Sequence, residues 1–198
     1  MNELIKDLGL LINATLIATP PLLLAALGSC FSERSGVVNI GIEGMMTIGA
    51  FTGAVMGLTT GNGWIAFFCA GLAGALFGLI HAFACISCHA DQTIAGTAIN
   101  FLGPGLALFL CKAMYSNSSD TPAMDPSCKL PKLFEGVFPT GSFWSNVLNV
   151  YAVAYLVFVL AFICWFVFYK TRFGAHLRAV GEHPEACEQI GRASCRER

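Results

Sequence analysis

The sequence predicts an all-α integral membrane protein, a polytopic bundle of transmembrane helices with about five spans. Three observations lead there. Hydrophobic residues make up 56% of the 198 residues, and Asp, Glu, Lys and Arg only 12%, about half the roughly 25% charged share of an average soluble domain. Not one Asp, Glu, Lys or Arg occurs between Gly44 and Ala90. The mean hydropathy is +0.68, and no soluble fold of this length hides so much apolar surface behind so little polar cover. An ordinary soluble enzyme, a disordered chain and a nucleic-acid binder, whose usual sign is a basic patch, are excluded. The net charge of −1 adds nothing, because in a membrane the side each charge faces is what matters.

Five stretches approach the roughly 20 apolar residues that a membrane helix needs. They are Leu8–Leu27, Val37–Leu58, Trp64–Ile86, Thr93–Cys111 and Val147–Tyr169, and Glu43 is their single charged side chain. Lipid offers the backbone no hydrogen-bond partners, so each span must satisfy itself as a helix. Continuous apolar runs do not suit a β-barrel, whose strands alternate. The first stretch ends in Leu27-Gly28-Ser29-Cys30, the form of a lipoprotein attachment box. A signal peptide needs a positive leader, however, and Glu3, Lys6 and Asp7 with the free amine sum to about zero. Pro20-Pro21 in mid-run is also foreign to one. The stretch is read as the first membrane helix.

The second stretch places Asn39 and Glu43 four residues apart, on one face if the helix starts at Val37. A charge near mid-bilayer costs roughly 2.5–3.5 kcal/mol on insertion scales, so it faces a cavity or a partner. The other reading puts Glu43 near the interface, in reach of water. Gly49, Gly53 and Gly57, and in the third stretch Ala66, Ala70, Gly74, Gly78 and Ala82, recur every four residues. Such faces let helices approach closely. Gly61-Asn62-Gly63 reads as the turn between them. In the fourth stretch Gly103-Pro104-Gly105 predicts a kink, because proline removes a donor. The connection Lys112–Asn146 carries Pro122, Pro126, Pro131 and Pro139.

Nine cysteines suggest no disulfide framework: Cys69, Cys85, Cys111 and Cys164 lie in apolar runs, where cysteine acts as a small hydrophobe. Cys85-Ile86-Ser87-Cys88-His89 matches the C-x-x-C-H pattern of haem attachment, with His81 one turn earlier. No second ligand group stands elsewhere at metal-site spacing. The bland reading, a helix end with small polarisable side chains, is preferred, and neither metal nor cofactor is predicted. Phosphate-loop, H-E-x-x-H and G-x-S-x-G motifs are missing. No catalytic residue is assigned; any ATP used here must be hydrolysed by another chain.

The final segment, Ile190-Gly191-Arg192-Ala193-Ser194-Cys195-Arg196-Glu197-Arg198, is what ATC-GGA-AGA-GCG-TCG-TGT-AGG-GAA-AGA encodes, the form of a sequencing-library adaptor. Residues 190–198 are therefore expected to be an artefact and residues 1–189 part of a longer membrane domain. Without that tail the charges tie. With the N-terminus outside, Arg34, Lys170, Arg172 and Arg178 fall inside and Lys6, Lys112, Lys129 and Lys132 outside.

One segment is more specific than any of these. Ser32-Glu33-Arg34-Ser35-Gly36-Val37-Val38-Asn39-Ile40-Gly41-Ile42-Glu43-Gly44-Met45-Met46 resembles the signature of permease subunits in ATP-binding-cassette importers. The branch is the one that handles branched-chain amino acids, ribose-type sugars and nucleosides, and Asn-Ile-Gly-Ile-Glu-Gly is closest to its nucleoside type. Ala90-Asp91-Gln92-Thr93-Ile94-Ala95-Gly96-Thr97-Ala98-Ile99-Asn100 is similar to the family's entry into the next helix. Thr171–Ala186 resembles the cytoplasmic loop that docks on the ATPase. The likeness runs from about Pro20 to Gln189, and Cys85–His89 departs from it where a basic stretch is usual.

The resemblance implies a permease that moves a small polar solute, a nucleoside or simple sugar, and is not itself an enzyme. It implies cytoplasmic ATPase subunits, a second permease subunit and an external substrate-binding lipoprotein as partners, in the lipid of a bacterial inner membrane. Nucleic acid has no place in it. Asn39, Glu43 and Asn100 are then expected along the solute path or bracing the helices beside it. Gly174, Arg178, Gly181, Glu182, Pro184, Glu185 and Ala186 are expected in the ATPase-coupling loop. Pro184 suits the first position of a helix, with Glu185 in its first turn, and Gly174 and Gly181 allow bends before it. A cytoplasmic Lys170–Gln189 would put the N-terminus outside. A facilitator without ATP coupling, or a membrane redox or metal protein using His81, Cys85, Cys88 and His89, are the rival classes.

Overall fold

The computed structural model describes residues 2–116, 118–123, 125, 129–132 and 147–183. Their helices are α1 (Asn2–Arg34), α2 (Ile42–Thr60), α3 (Gly63–Ala82), α4 (Gln92–Met114), α5 (Ala152–Lys170) and α6 (Arg172–Glu182). A π-helical turn, Phe83–Ser87, prolongs α3. The first five helices are long and apolar enough to cross a membrane, as the hydropathy pattern predicts. α1 runs through Pro20 and Pro21 without a break.

The chain divides into two compact units. One comprises the chain up to Leu27 and Leu130–Thr171. Within it the entry to α5 is tied down by backbone: the Ala152 N–H donates to Pro131 C=O at 3.1 Å. Lys132 pairs with Tyr151 as an isolated bridge and places Nζ 5.8 Å from the Tyr151 ring centre, a cation–π approach. The Asn13 amide donates to Asn149 C=O, so the first span carries a polar side chain engaged with another part of the same unit.

The other unit takes in Gly28–Lys129 and the chain from Arg172 on, with α2, α3, α4 and α6. α2 and α3 form an antiparallel hairpin around the predicted turn. Gly61 ends α2 at φ 64°, its N–H donating to Gly57 C=O, and Asn62 caps α3 by accepting from the Trp64 N–H. The positive φ is free of strain because glycine has no Cβ. The small-residue faces meet as expected. A Cβ on Gly49 would lie 3.1 Å from Ala70 O, and one on Gly53 would lie 3.1 Å from Ala70 Cβ. Ile48, Phe77, Ile99 and Ala107 make the buried cluster that joins α2, α3 and α4. Asp91 starts α4, its carboxylate accepting from the Thr93 and Ile94 N–H groups at 2.9 and 3.0 Å.

One expectation fails. The second span does not start as a helix at Val37: residues 37–41 are non-helical and α2 begins at Ile42. Asn39 and Glu43 therefore do not share a helical face. Pro104 lies inside α4.

Candidate functional site

The non-helical stretch before α2 is where the sequence motifs converge. Its depth follows from contacts within the hairpin. Met45 O lies against Gly74, and Gly49 against Ala70, while Val38 O lies 3.4 Å from His81 Nε2. The pairing is antiparallel and sets Glu43 level with about the middle of the Gly63–Ser87 span. Against α4 the pairing is parallel: Gly41 meets Gly96, and Gly44 meets Ile99 and Asn100. At 1.5 Å per helical residue, the first turn of α2 lies about 10–16 Å from the end of these neighbours. The hydrocarbon core is about 30 Å thick. α2 thus begins inside the span of the helices around it.

Exposed backbone at that depth must find partners within the protein. It finds them in side chains of two other elements. The Val38 N–H donates to Gln92 Oε1 at 2.7 Å, and its C=O faces the His81 ring. Asn100 bridges the break: its Nδ2 donates to Ile40 C=O and its Oδ1 accepts from the Gly44 N–H, each at 2.9 Å. Asn39 closes a local turn, accepting from the Gly41 N–H at 3.1 Å. α2 has no side-chain cap at Gly41; Asn100 of α4 supplies one from outside the helix, satisfying an orphan donor of its first turn.

Glycine is required where backbones touch. A Cβ on Gly44 would collide with the Ile99 carbonyl, and one on Gly103 with the Gly44 carbonyl. A Cβ on Gly41 would lie 3.2 Å from Gly96 O, and one on Gly96 would lie 3.1 Å from Gly41 N. The two motifs are accordingly one contact: Asn39–Gly44 seats on Gly96–Gly103. Asn100, expected with Asn39 and Glu43, is brought to them, and both its polar atoms are engaged by backbone.

Glu43 is exposed in the first turn of α2, and among the described residues its carboxylate makes no hydrogen bond or ion pair. One turn on, Thr47 donates to Glu43 C=O at 2.9 Å. Thr47 also lines an open cavity of about 380 Å³ between α2 and α4, with Phe51, Pro104, Cys111 and Asp120 in its wall. The face of α2 bearing Glu43 thus continues into a groove with an aromatic ring, a hydroxyl and a carboxylate.

Gln92 is the residue that sequence reading missed, and His81, singled out there only as a possible metal or redox residue, faces the Val38 carbonyl instead. His81 is 3% exposed, and Cys85 Sγ lies 3.7 Å from its Nε2. Cys88 and His89 are exposed. Among the described residues no group of three or more His, Cys, Asp or Glu is placed to hold a metal. A buried polar residue on an apolar helix was the available signal for His81. Gln92 gave none beyond its place in a motif.

The expected coupling loop is different in form. Gly174 and Gly181 are not bends: both lie within α6, an amphipathic helix that buries Gly174, Leu177 and Val180. Phe173, Ala175, Ala179 and Glu182 are exposed. Arg178 Nε donates to Gly174 C=O at 3.3 Å. Gly181 is a packing position, since a Cβ there would strike the Arg34 carbonyl and approach Gly36 N to 3.1 Å. Gly36 itself has φ +83° and would set a Cβ 3.2 Å from Gly181 Cα. Pro184, Glu185 and Ala186 lie outside the described residues.

Comparison with known proteins agrees with this arrangement of motifs. Residues 11–194 match the family described as branched-chain amino acid transport system / permease component. The chain is 44% identical over 197 residues to a guanosine ABC transporter permease protein of Bacillus subtilis, covering 96% of this chain and 61% of that one. It is 34% identical to a nucleoside ABC transporter permease protein of Lactococcus lactis, with the same shares. A putative glucose ABC transporter permease protein of Haloferax volcanii is 36% identical, over 91% of this chain and 54% of its own length. The chain thus spans about three fifths of the first two relatives. No solved structure matches it. With five apolar helices it is a multi-pass membrane protein, and it belongs to the branched-chain amino acid transport system permease family.

Proposed function

We propose that this chain is part of the permease subunit of an ABC importer for a nucleoside or a similarly polar sugar-bearing solute. The observation that carries the reading is the start of α2 within the depth of α3 and α4, with Glu43 exposed beside it. Broken helices at membrane depth are where transporters place binding groups. The names of the relatives, a guanosine and a nucleoside permease, support the solute class. In this reading Asn39 and Glu43 stand along the path. Asn100 serves it indirectly, by fixing the start of α2. Affinity there stays low, because a conducting site must release what it accepts.

The energy comes from separate cytoplasmic ATPase subunits, and the solute from an external binding lipoprotein. A second permease subunit completes the path in the bacterial inner membrane. The exposed side of α6, with Glu182, faces the ATPase, so Lys170–Gln189 is cytoplasmic and the N-terminus external. Residues 190–198 are adaptor-encoded in this reading.

The test is uptake of labelled guanosine by vesicles holding the complete transporter. Accumulation above the external concentration, dependent on ATP and on the ATPase subunits, is the expected result. Equilibration without ATP would instead favour a facilitator.

A further inference from the structure

The segment between α1 and α2 touches α6 at one end and the candidate path at the other. At the first end, Gly36 and Gly181 bring two backbones together, with the Arg34 carbonyl over Gly181. No side chain cushions that contact. Ser35 and Val37 are buried at 4% and 6% exposure. The Ser35 hydroxyl donates to Ser32 C=O at 2.7 Å, and the Val37 N–H reaches the same carbonyl at 3.1 Å. Beyond them, Val38 is held on both polar groups, and Ile40 and Gly44 are joined through Asn100. Glu43 follows directly, in the first turn of α2.

We propose that residues 35–41 are a coupling strap, gripped by α6 through the Gly36–Gly181 contact and held by His81, Gln92 and Asn100, so that displacement of α6 moves the start of α2. The inference rests on the reading of α6 as the ATPase-facing helix. It adds His81 and Gln92 as positioning residues that act through the strap. The physical basis is stiffness. A short segment anchored at both ends, with backbone groups of Val38 and Ile40 engaged by side chains, transmits a displacement, whereas a loose loop absorbs it. The glycine pair makes the grip close, and the polar side chains give the strap a discrete bonded arrangement to leave or restore.

Gln92 offers the cleanest test, because only its acceptor oxygen is used toward Val38. Gln92→Leu removes the acceptor; Gln92→Glu retains one. Both are to be measured in vesicles containing the complete transporter, as guanosine moved per ATP hydrolysed. Gln92→Leu should lower that ratio about tenfold, with assembly intact and basal hydrolysis within twofold of wild type. Gln92→Glu should keep at least half the wild-type ratio. Gly181→Ala, which presses on the Arg34 carbonyl from the other end, should lower the ratio as well. An unchanged ratio in Gln92→Leu, or equal loss in Gln92→Glu, overturns the strap. Loss of assembly in both Gln92→Leu and Gly181→Ala, in step with transport, overturns it in favour of a purely structural brace. Wild-type vesicles separate the two claims: ATP-dependent accumulation there upholds the importer reading whatever the variants do.

Discussion

The α2–α3 and α2–α4 contacts lie on the same helix and are built on different principles. Toward α3, Gly49 and Gly53 pack on Ala66 and Ala70, and every backbone group involved is already satisfied within its helix. Shape is all that contact needs. Toward α4, the chain entering α2 is not helical, so shape is insufficient. Named polar atoms must meet Val38, Ile40 and Gly44. The difference shows how a membrane protein places irregular backbone at depth: neighbouring helices supply hydrogen bonds that lipid cannot. A helix start built this way leaves a charged residue, Glu43, at a position that a continuous helix would have to bury or give up.

The comparison is broken most severely at Gly44, where the two principles coincide. Gly44→Val pushes a side chain into the Ile99 carbonyl, and no flexible group is there to yield. Overpacking of this kind costs about 3 kcal/mol. Thermal unfolding in detergent should show a much lowered transition, and a transition equal to wild type would mean that the α2–α4 contact is wrong.

Asn100→Leu comes next. It leaves the Ile40 carbonyl and the Gly44 N–H without partners, at roughly 1–3 kcal/mol for each group that stays buried. A loss near 2 kcal/mol is expected, together with faster amide hydrogen exchange at Gly44. Protection at Gly44 that matched wild type would remove Asn100 from its capping role. Asn100→Asp keeps the acceptor and should restore part of the Gly44 protection alone.

Gly53→Ala sharpens the contrast from the α3 side. The new methyl would meet Ala70 Cβ at 3.1 Å, a side-chain neighbour that needs to give only a few tenths of an ångström. The expected cost is below about 1 kcal/mol, with transport retained. A penalty as large as that of Gly44→Val would show that both contacts obey one rule.

Much of this was legible in the sequence, and the failures share one cause. Helices were visible because hydropathy is a local property, and so was the Gly61 turn. The start of α2 was not, since Val37-Val38-Asn39-Ile40-Gly41 is as apolar as the helix that follows. What stops the helix there lies in partners 54 and 60 residues further along the chain, beyond any local pattern. Gly174 and Gly181 were misread for the same reason. Glycine signals a bend by conformational freedom, yet at Gly181 its use is the missing Cβ beneath the Arg34 carbonyl. The motif resemblance fared better, because it carried the tertiary contact in compressed form: its first two segments are the two sides of one interface.

The central claim is that α2 begins within the membrane beside an aqueous solute path, with Glu43 facing that path. Its most direct test is Glu43→Cys, with the other cysteines replaced, in the complete transporter in vesicles. A small membrane-impermeant thiol reagent should label the new cysteine, and guanosine with its binding protein should slow that labelling several-fold. A cysteine that no water-borne reagent reaches, while Thr60→Cys at the far end of α2 labels freely, would place Glu43 against lipid or protein and contradict the account.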